Sequence, residues 1–415
     1  MRRTAMVFML VAAFTAVSDA RQTASDVTQW RGPNRDGIVP GFKAPSAWPE
    51  QLTQRWKVDV GLGYATPLVV GNSVFVFSRQ NDDEVMIALD AASGKVLWRS
   101  AHPAPFEMNS AAAPHNKGPK STPVYANARL FAIGMTGVVV AYDAATGKRL
   151  WEKPGSMPVP TYTTHSFSPI IEGGTVIFHV GGHMEGALTA FDVATGDVRW
   201  RWGGDGPGYG SPIIVDFGGV RQLVTITQGK LIGVNPSTGA LLWERPYAST
   251  NFTNSITPVR LGDMLIYWGS GTNAPMLAVR VTRQNNQWSV EQVWENPDLP
   301  GRFSNAVLEG DVMFGLTGRN SGQYYAVDAK SGKTLWTSEG RQASNAAIAR
   351  VGDILVSLEN DGELVILRTS RAGFEPIRRY RVAAEETFSA WAQPALSGNR
   401  IFVKDLTTVA LWTID

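Results

Sequence analysis

The sequence predicts an all-β chain folded as an eight-bladed β-propeller of four-stranded antiparallel blades, with an N-terminal strand completing the C-terminal blade and closing the ring. Three observations predict it: a hairpin signature recurs along the chain, aromatic residues mark it at intervals of about one blade, and each chain end reads as part of a blade. The composition agrees. The 415 residues include 42 Gly, 24 Pro and 14 Trp with 18% charged, a balance that suits turns and aromatic-rich strands better than amphipathic helices.

From the N-terminus, Arg2 and Arg3 precede an apolar run from Ala5 to Val17, and Ser18 and Ala20 are small residues of the kind signal peptidase accepts. The run is short for a bilayer span. The expected organisation is therefore a signal peptide at 1–20, a lead-in at 21–52 and the propeller at 53–415, periplasmic or secreted, with no membrane span after cleavage. With 0 Cys, the mature chain is expected to lack disulfides, a Cys-borne lipid anchor and a Cys-x-x-Cys-His haem site. The formal net charge is +2, and removing Arg2, Arg3 and Asp19 lowers it by one, which argues against a nucleic-acid surface or a polybasic membrane patch. A monomer is expected.

The hairpin signature places a small residue at i, Asp or Asn at i+2, Gly at i+6 and Trp at i+10. It appears as Ala88, Asp90, Gly94, Trp98; Ala141, Asp143, Gly147, Trp151; Ala190, Asp192, Gly196, Trp200; Gly233, Asn235, Gly239, Trp243; and Ala326, Asp328, Gly332, Trp336. The Asp or Asn side chain accepts turn N–H groups, and Gly supplies the positive φ that closes the turn. The small residue lets two sheets approach while the indole fills the gap and keeps its N–H within reach of a partner. Two copies are degraded. Ala278 to Trp294 has Arg280 at the Asp position and a longer turn, and Ile366 to Tyr380 keeps only its aromatic end, so these two turns are expected to be the least regular.

Upstream of each hairpin comes a short strand opening near Ser/Thr-Pro, a turn and a second strand, as at Thr66-Pro67, Thr122-Pro123, Ser168-Pro169, Ser211-Pro212 and Thr257-Pro258, with variants at Asn305, Asn345 and Gln393. Each unit is thus four strands, A to D. Proline at the start of a strand belongs on an edge, so strand A is expected to be an exposed innermost edge.

The aromatic markers Trp56, Trp98, Trp151, Trp200, Trp243, Trp294, Trp336 and Tyr380 lie about 42 to 53 residues apart. Eight markers imply eight blades. Phe388 to Asp415 supplies strands A, B and C without D, and Gln54 to Val60 is a lone D strand, so pairing the two closes the ring and removes its free edges.

The repeat Ala-x-Asp-x-x-x-Gly-x-x-x-Trp resembles the tryptophan-docking motif of the quinoprotein, or pyrroloquinoline-quinone-binding-like, β-propellers, over residues 53–415. The segment Trp30 to Gly37 resembles the lead-in of exported bacterial members. That resemblance implies the fold. It leaves the function divided among quinone-dependent dehydrogenases, an outer-membrane assembly lipoprotein and other envelope proteins.

Residues just before strand A are expected to ring the funnel mouth: Tyr64, Lys120, His165, Tyr209, Asn254, Asn305, Asn345 and Trp391, a mixed aromatic and polar rim suited to a flat ligand or a peptide. All five histidines, His102, His115, His165, His179 and His183, fall in or beside the D-to-A and B-to-C connections on that face. His179, His183 and Glu185 are candidate metal ligands, set against ordinary loop polarity, and no metal is assigned. The loop Gly203 to Gly208 is glycine-rich but opens no helix, so it is read as a connection.

The preferred reading is an exported non-catalytic scaffold that binds a protein or envelope component and needs no cofactor, because no catalytic constellation is visible and no residue can be assigned as catalytic. The alternative is a pyrroloquinoline-quinone-dependent dehydrogenase of alcohols or sugars, for which the resemblance implies Ca²⁺ held by carboxylate and amide ligands. Glu107 and Asn109 are the nearest candidates for it, without a paired Asp, an adjacent cysteine pair or a haem domain. A third reading is a glycan- or polymer-binding module stacking on Tyr64, Tyr209 and Trp391.

Overall fold

The computed structural model describes residues 23–155, 165–182, 185–247, 249, 253–270, 274–386 and 389–415, so the expected signal peptide and His183 lie outside the described residues. The chain forms eight four-stranded antiparallel sheets, each paired in the order A-B-C-D. Blade 1 has strands Leu68–Val70, Ser73–Gln80, Asp83–Asp90 and Val96–Pro103. Blades 2 to 7 open at Val124, Ile170, Ile213, Val259, Val307 and Ala346. Blade 8 joins Ala395–Ser397, Arg400–Lys404 and Thr408–Thr413 to Thr53–Asp59, with Thr53 opposite Thr413 and Asp59 opposite Thr408. Ring closure falls where the sequence places it.

The hairpin signature is a docking device between blades. Asp90 Oδ1 accepts from Ser93 N at 2.8 Å, and Asp143, Asp192, Asn235 and Asp328 cap their turns in the same way. The small residue is the direct cross-strand partner of the tryptophan, as in Ala88 opposite Trp98 and Ala141 opposite Trp151, and a bulge follows it. Six of the repeat indoles then cross to the next blade. Nε1 of Trp56, Trp98, Trp151, Trp200, Trp294 and Trp336 donates to the backbone carbonyls of Ala91, Ala144, Val193, Pro236, Ala329 and Ser370 respectively. The hydrophobic core is accordingly a set of interblade clusters, such as Phe131 and Trp151 of blade 2 with Phe178 and Phe191 of blade 3.

Two departures follow from the degraded copies, and one corrects an expectation. The extra residues of blade 5 lengthen both strands, Met276–Gln284 and Gln287–Asn296, around a tight turn with Asn285 and Asn286 at φ 50° and 62°, the geometry of a type I′ hairpin. That turn is therefore regular. Because it lacks the docking glycine, Trp243 turns back to Gln222 Oε1 of its own blade, at 2.6 Å. Tyr380 of blade 7 instead donates to Pro49 O at 2.6 Å and packs beside Trp48 of the lead-in, which supplies the surface that the interrupted blade 8 hairpin lacks.

The lead-in corrects a second expectation in part: the inner strands of blades 1, 2, 7 and 8 are covered. Val27 exchanges two backbone hydrogen bonds with Val69 of blade 1, Tyr125 N of blade 2 donates to Thr28 O, and bridges join Ile38 to Arg350 and Phe42 to Gly398. At the centre Arg35 donates to Pro169 O and Ser168 O, both at 2.7 Å, while Arg31 donates to Ala306 O at 2.6 Å. Positive φ at Arg31, Gly32, Arg35 and Gly37 folds Trp30 to Gly37 tightly enough to enter the ring. Trp30 of this turn lines one cavity, and Arg31, Asn34, Arg35 and Asp36 line another.

Candidate functional site

The Ser/Thr-Pro positions form a hydrogen-bonded collar around the channel. Gln393 N donates to Thr66 Oγ1, Thr66 N to Thr122 Oγ1, Thr122 N to Ser168 Oγ and Ser168 N to Ser211 Oγ, at 3.0 to 3.2 Å. Thr257 N donates to Asn305 Oδ1 at 2.8 Å, and Trp30 Nε1 donates to Thr257 Oγ1 at 3.1 Å. In blades 1 to 4 the proline at the start of strand A thus follows a hydroxyl that bonds the preceding blade.

Above this collar lies a cavity of about 140 Å³. Trp30, Tyr64, Tyr209, Phe303 and Trp391 supply its aromatic lining, joined by His115, Lys120, Asn305 and six Ser and Thr side chains. Trp391 organises one side, with Tyr64 at 6.1 Å, Phe303 at 5.7 Å and His115 edge-on at 5.4 Å. Burial pushes the Tyr64 phenol up to about 12 and the Lys120 ammonium down to about 7. Lys120 Nζ donates to Asn116 O at 3.2 Å, and burial together with this ammonium also lowers His115.

Of the eight expected rim residues, Tyr64, Lys120, Tyr209, Asn305 and Trp391 line this cavity, and Asn345 lines a smaller one beside it. Asn254 does not: it is fully buried, and its Nδ2 donates to the carbonyls of Thr227, Gln228 and Tyr247, a clamp that ties a D-to-A connection to its neighbour. His165 is also buried outside the cavity lining, and burial holds its imidazole down at about 4. Trp30, His115 and Phe303 complete the cavity. Trp30 was visible only as part of a family marker, since nothing in its local pattern says that the lead-in threads the ring.

The remaining candidates sit elsewhere. His179 is buried edge-on to Phe167 with Nε2 at 3.1 Å from Asp205 O, whereas Glu185 is exposed. Asp205 Oδ2 accepts from Thr227 Oγ1 and Gly229 N, both at 2.7 Å, tying the glycine-rich loop to blade 4. His102 is buried with Nε2 3.4 Å from Glu84 Oε2, between blades 1 and 2. Glu107 and Asn109 are exposed and do not line the cavity.

The family model described as outer membrane protein assembly factor BamB matches residues 48–116, 82–296 and 289–404, and the chain belongs to that family. It is 24% identical over 354 residues to outer membrane protein assembly factor BamB of Burkholderia pseudomallei, covering 81% of this chain and 77% of that one. It is 32% identical over 164 residues to the dehydrogenase subunit of the quinone alcohol dehydrogenase of Acetobacter aceti, covering 37% of this chain and 21% of that subunit. The chain thus spans between a sixth and a third of the length of the alcohol dehydrogenases it matches. Quinohemoprotein alcohol dehydrogenase of Comamonas testosteroni has the same fold, with TM-score 0.66 at 14% identity over 96% of this chain and 81% of that one.

A quinone with Ca²⁺ held by carboxylates asks for acidic donors in the funnel. The described cavity lining offers hydroxyls, an amide, an imidazole and an ammonium, and no carboxylate. That donor set does not match a carboxylate-held Ca²⁺.

Proposed function

We propose that this chain is an exported, non-catalytic envelope scaffold that binds a protein partner through the upper funnel, in the manner implied by relatives named for outer-membrane protein assembly. The observation that carries this reading is the cavity lining: among the described residues, five aromatic rings and six hydroxyl side chains present binding surface, and no carboxylate lines it. Tyr and Trp side chains give large contact area at small entropic cost. Among the described residues no helix is long and apolar enough to cross a membrane.

The test is a photo-cross-linking amino acid placed at Ser166, in the cavity lining, and at Lys95, on a remote exposed turn, in cells of the native organism. The reading expects one defined envelope protein captured from Ser166 and not from Lys95. No adduct, together with saturable pyrroloquinoline quinone binding and dye reduction by the purified protein with Ca²⁺, would replace it with the dehydrogenase reading.

A further inference from the structure

Beneath the Trp30 to Arg35 turn, on the side of blades 4 and 5, the channel holds a second cavity of about 470 Å³. Inner-strand residues Ile213, Val215, Val259 and Leu261 form its apolar walls, and Arg31, Arg35, Arg260 and Arg350 line it together with a single carboxylate, Asp36.

As at blades 3 and 6, the inner edges here receive no backbone bond from the described lead-in residues, unlike those of blades 1, 2, 7 and 8. The lead-in bonds the inner edge of blade 1 through Val27 and Val69, that of blade 7 through Val39 N to Arg350 O at 2.9 Å, and that of blade 8 through Lys43 N to Gly398 O at 2.7 Å. Among the described residues, no backbone hydrogen bond from the lead-in reaches Ile213–Phe217 or Val259–Leu261. An open strand edge in a groove is a template for an added strand, and the lead-in already uses that mode elsewhere in the same ring.

The charge is also one-sided. Arg31 and Arg35 are both buried, and each Nε is buried without a hydrogen-bond partner. Burial lowers both guanidiniums, Arg31 to about 10 and Arg35 to about 9, and the like charge of Arg31 lowers Arg35 further. Two neighbouring buried cations with one carboxylate nearby leave a deficit of negative charge that an entering anion would fill.

We propose that an extended segment of a protein partner, bearing an acidic side chain, enters this lower cavity as an added strand on blades 4 and 5 with its carboxylate beside Arg31 and Arg35. The proposal rests on the reading that the chain binds a protein, and it assigns that partner a second contact with a defined chemistry. Main-chain bonds to the open edges supply affinity, the apolar walls take alternate side chains, and the arginines select the acidic one.

The experiment uses the mature protein and two fluorescein-labelled hexapeptides, one alternating Val and Asp and one alternating Val and Lys, followed by anisotropy and by amide hydrogen exchange. The Val/Asp peptide should bind saturably and at least about tenfold more tightly than the Val/Lys peptide, since opposite charge at a desolvated site is worth a factor of this order. It should slow exchange in 213–217 and 259–261. Arg260→Glu, at an exposed position, should weaken the Val/Asp peptide at least about tenfold while circular dichroism shows the blades still folded.

The proposal is overturned by no binding to the folded protein, by protection at other blades, or by an Arg260→Glu variant that binds unchanged. It is also overturned if inorganic phosphate competes fully while the peptide leaves exchange in the two strands unchanged, which would make the cavity a small-anion site. Self-association of the protein that excludes the peptide would assign the edges to a second copy instead. Cross-links from Ser166 without peptide binding would remove this inference and leave the partner reading in place.

Discussion

Trp98 occupies the space in which a side chain on Gly147 would begin: a Cβ there would fall 2.4 Å from Trp98 Cε3, while Trp98 Nε1 reaches past it to Ala144 O at 3.1 Å. The glycine therefore answers two demands, positive φ at 72° and the neighbour's indole. Gly71, at φ 57°, has nothing within 4 Å of its hypothetical Cβ and answers only the first. Gly71→Ala should cost about 1 kcal/mol of backbone strain. Gly147→Ala should cost at least about 3 kcal/mol, because overpacking adds to that strain. Urea midpoints of the two variants measure the difference.

The hydroxyl collar makes a parallel prediction. Ser168 Oγ accepts the buried Thr122 N at 3.0 Å, whereas Ser166 only lines the cavity. Ser168→Ala should lower stability by about 1 to 2 kcal/mol, the cost of an orphaned buried amide, and Ser166→Ala by less than about 0.5 kcal/mol. Equal effects in thermal melts would remove the collar's role in joining blades.

Arg35 should anchor the lead-in. Its two charged hydrogen bonds to Ser168 O and Pro169 O are each worth about 1.5 to 3 kcal/mol. Arg35→Met should therefore accelerate proteolysis within residues 23–52 at least about tenfold, by local opening rather than global unfolding. An unchanged digestion pattern would show that the strand-like bridges hold the lead-in without it.

Stability should also fall with acid in a defined window. Burial holds both His165 and His179 at about 4 in the folded state against 6.5 unfolded, so the unfolded chain binds more protons between those values. Their contribution is complete above about pH 6.5 and is lost toward pH 4, at up to about 1.4 kcal/mol per pH unit for each histidine. Glu359 acts in the opposite sense. Burial raises its carboxyl to about 7 from 4.5, so its contribution is complete below pH 4.5 and is lost as pH rises through 7. Melting temperatures of the wild type and His165→Gln across pH 4 to 7 should diverge, with the variant showing the shallower acid decline.

These relationships show how much of the molecule was legible in the sequence. The repeat identified blade number, strand order and the closing strand because each blade repeats one local solution, and Asp90 with Gly94 encodes its turn within a few residues. The cavity was partly legible for the same reason: Tyr64, Tyr209 and Trp391 precede inner strands and therefore reach the funnel. The missed features are those that depend on distant partners. Trp30 meets Thr257 across 227 positions and Arg31 meets Ala306 across 275, and no periodicity connects them. Asn254 failed as a rim residue because its amide satisfies three carbonyls, an obligation invisible until the neighbouring connection is in place.

In-cell photo-cross-linking from Ser166, repeated in a Trp391→Ala background to remove the ring that organises the funnel wall, tests most directly whether a partner occupies the upper funnel. The parent should give one stoichiometric envelope-protein adduct, at least about tenfold weaker in the Trp391→Ala protein and absent from Lys95, as expected when a central aromatic anchors an interface. Adducts of equal intensity from Ser166 and Lys95, or an adduct indifferent to Trp391, would contradict a partner held in the upper funnel.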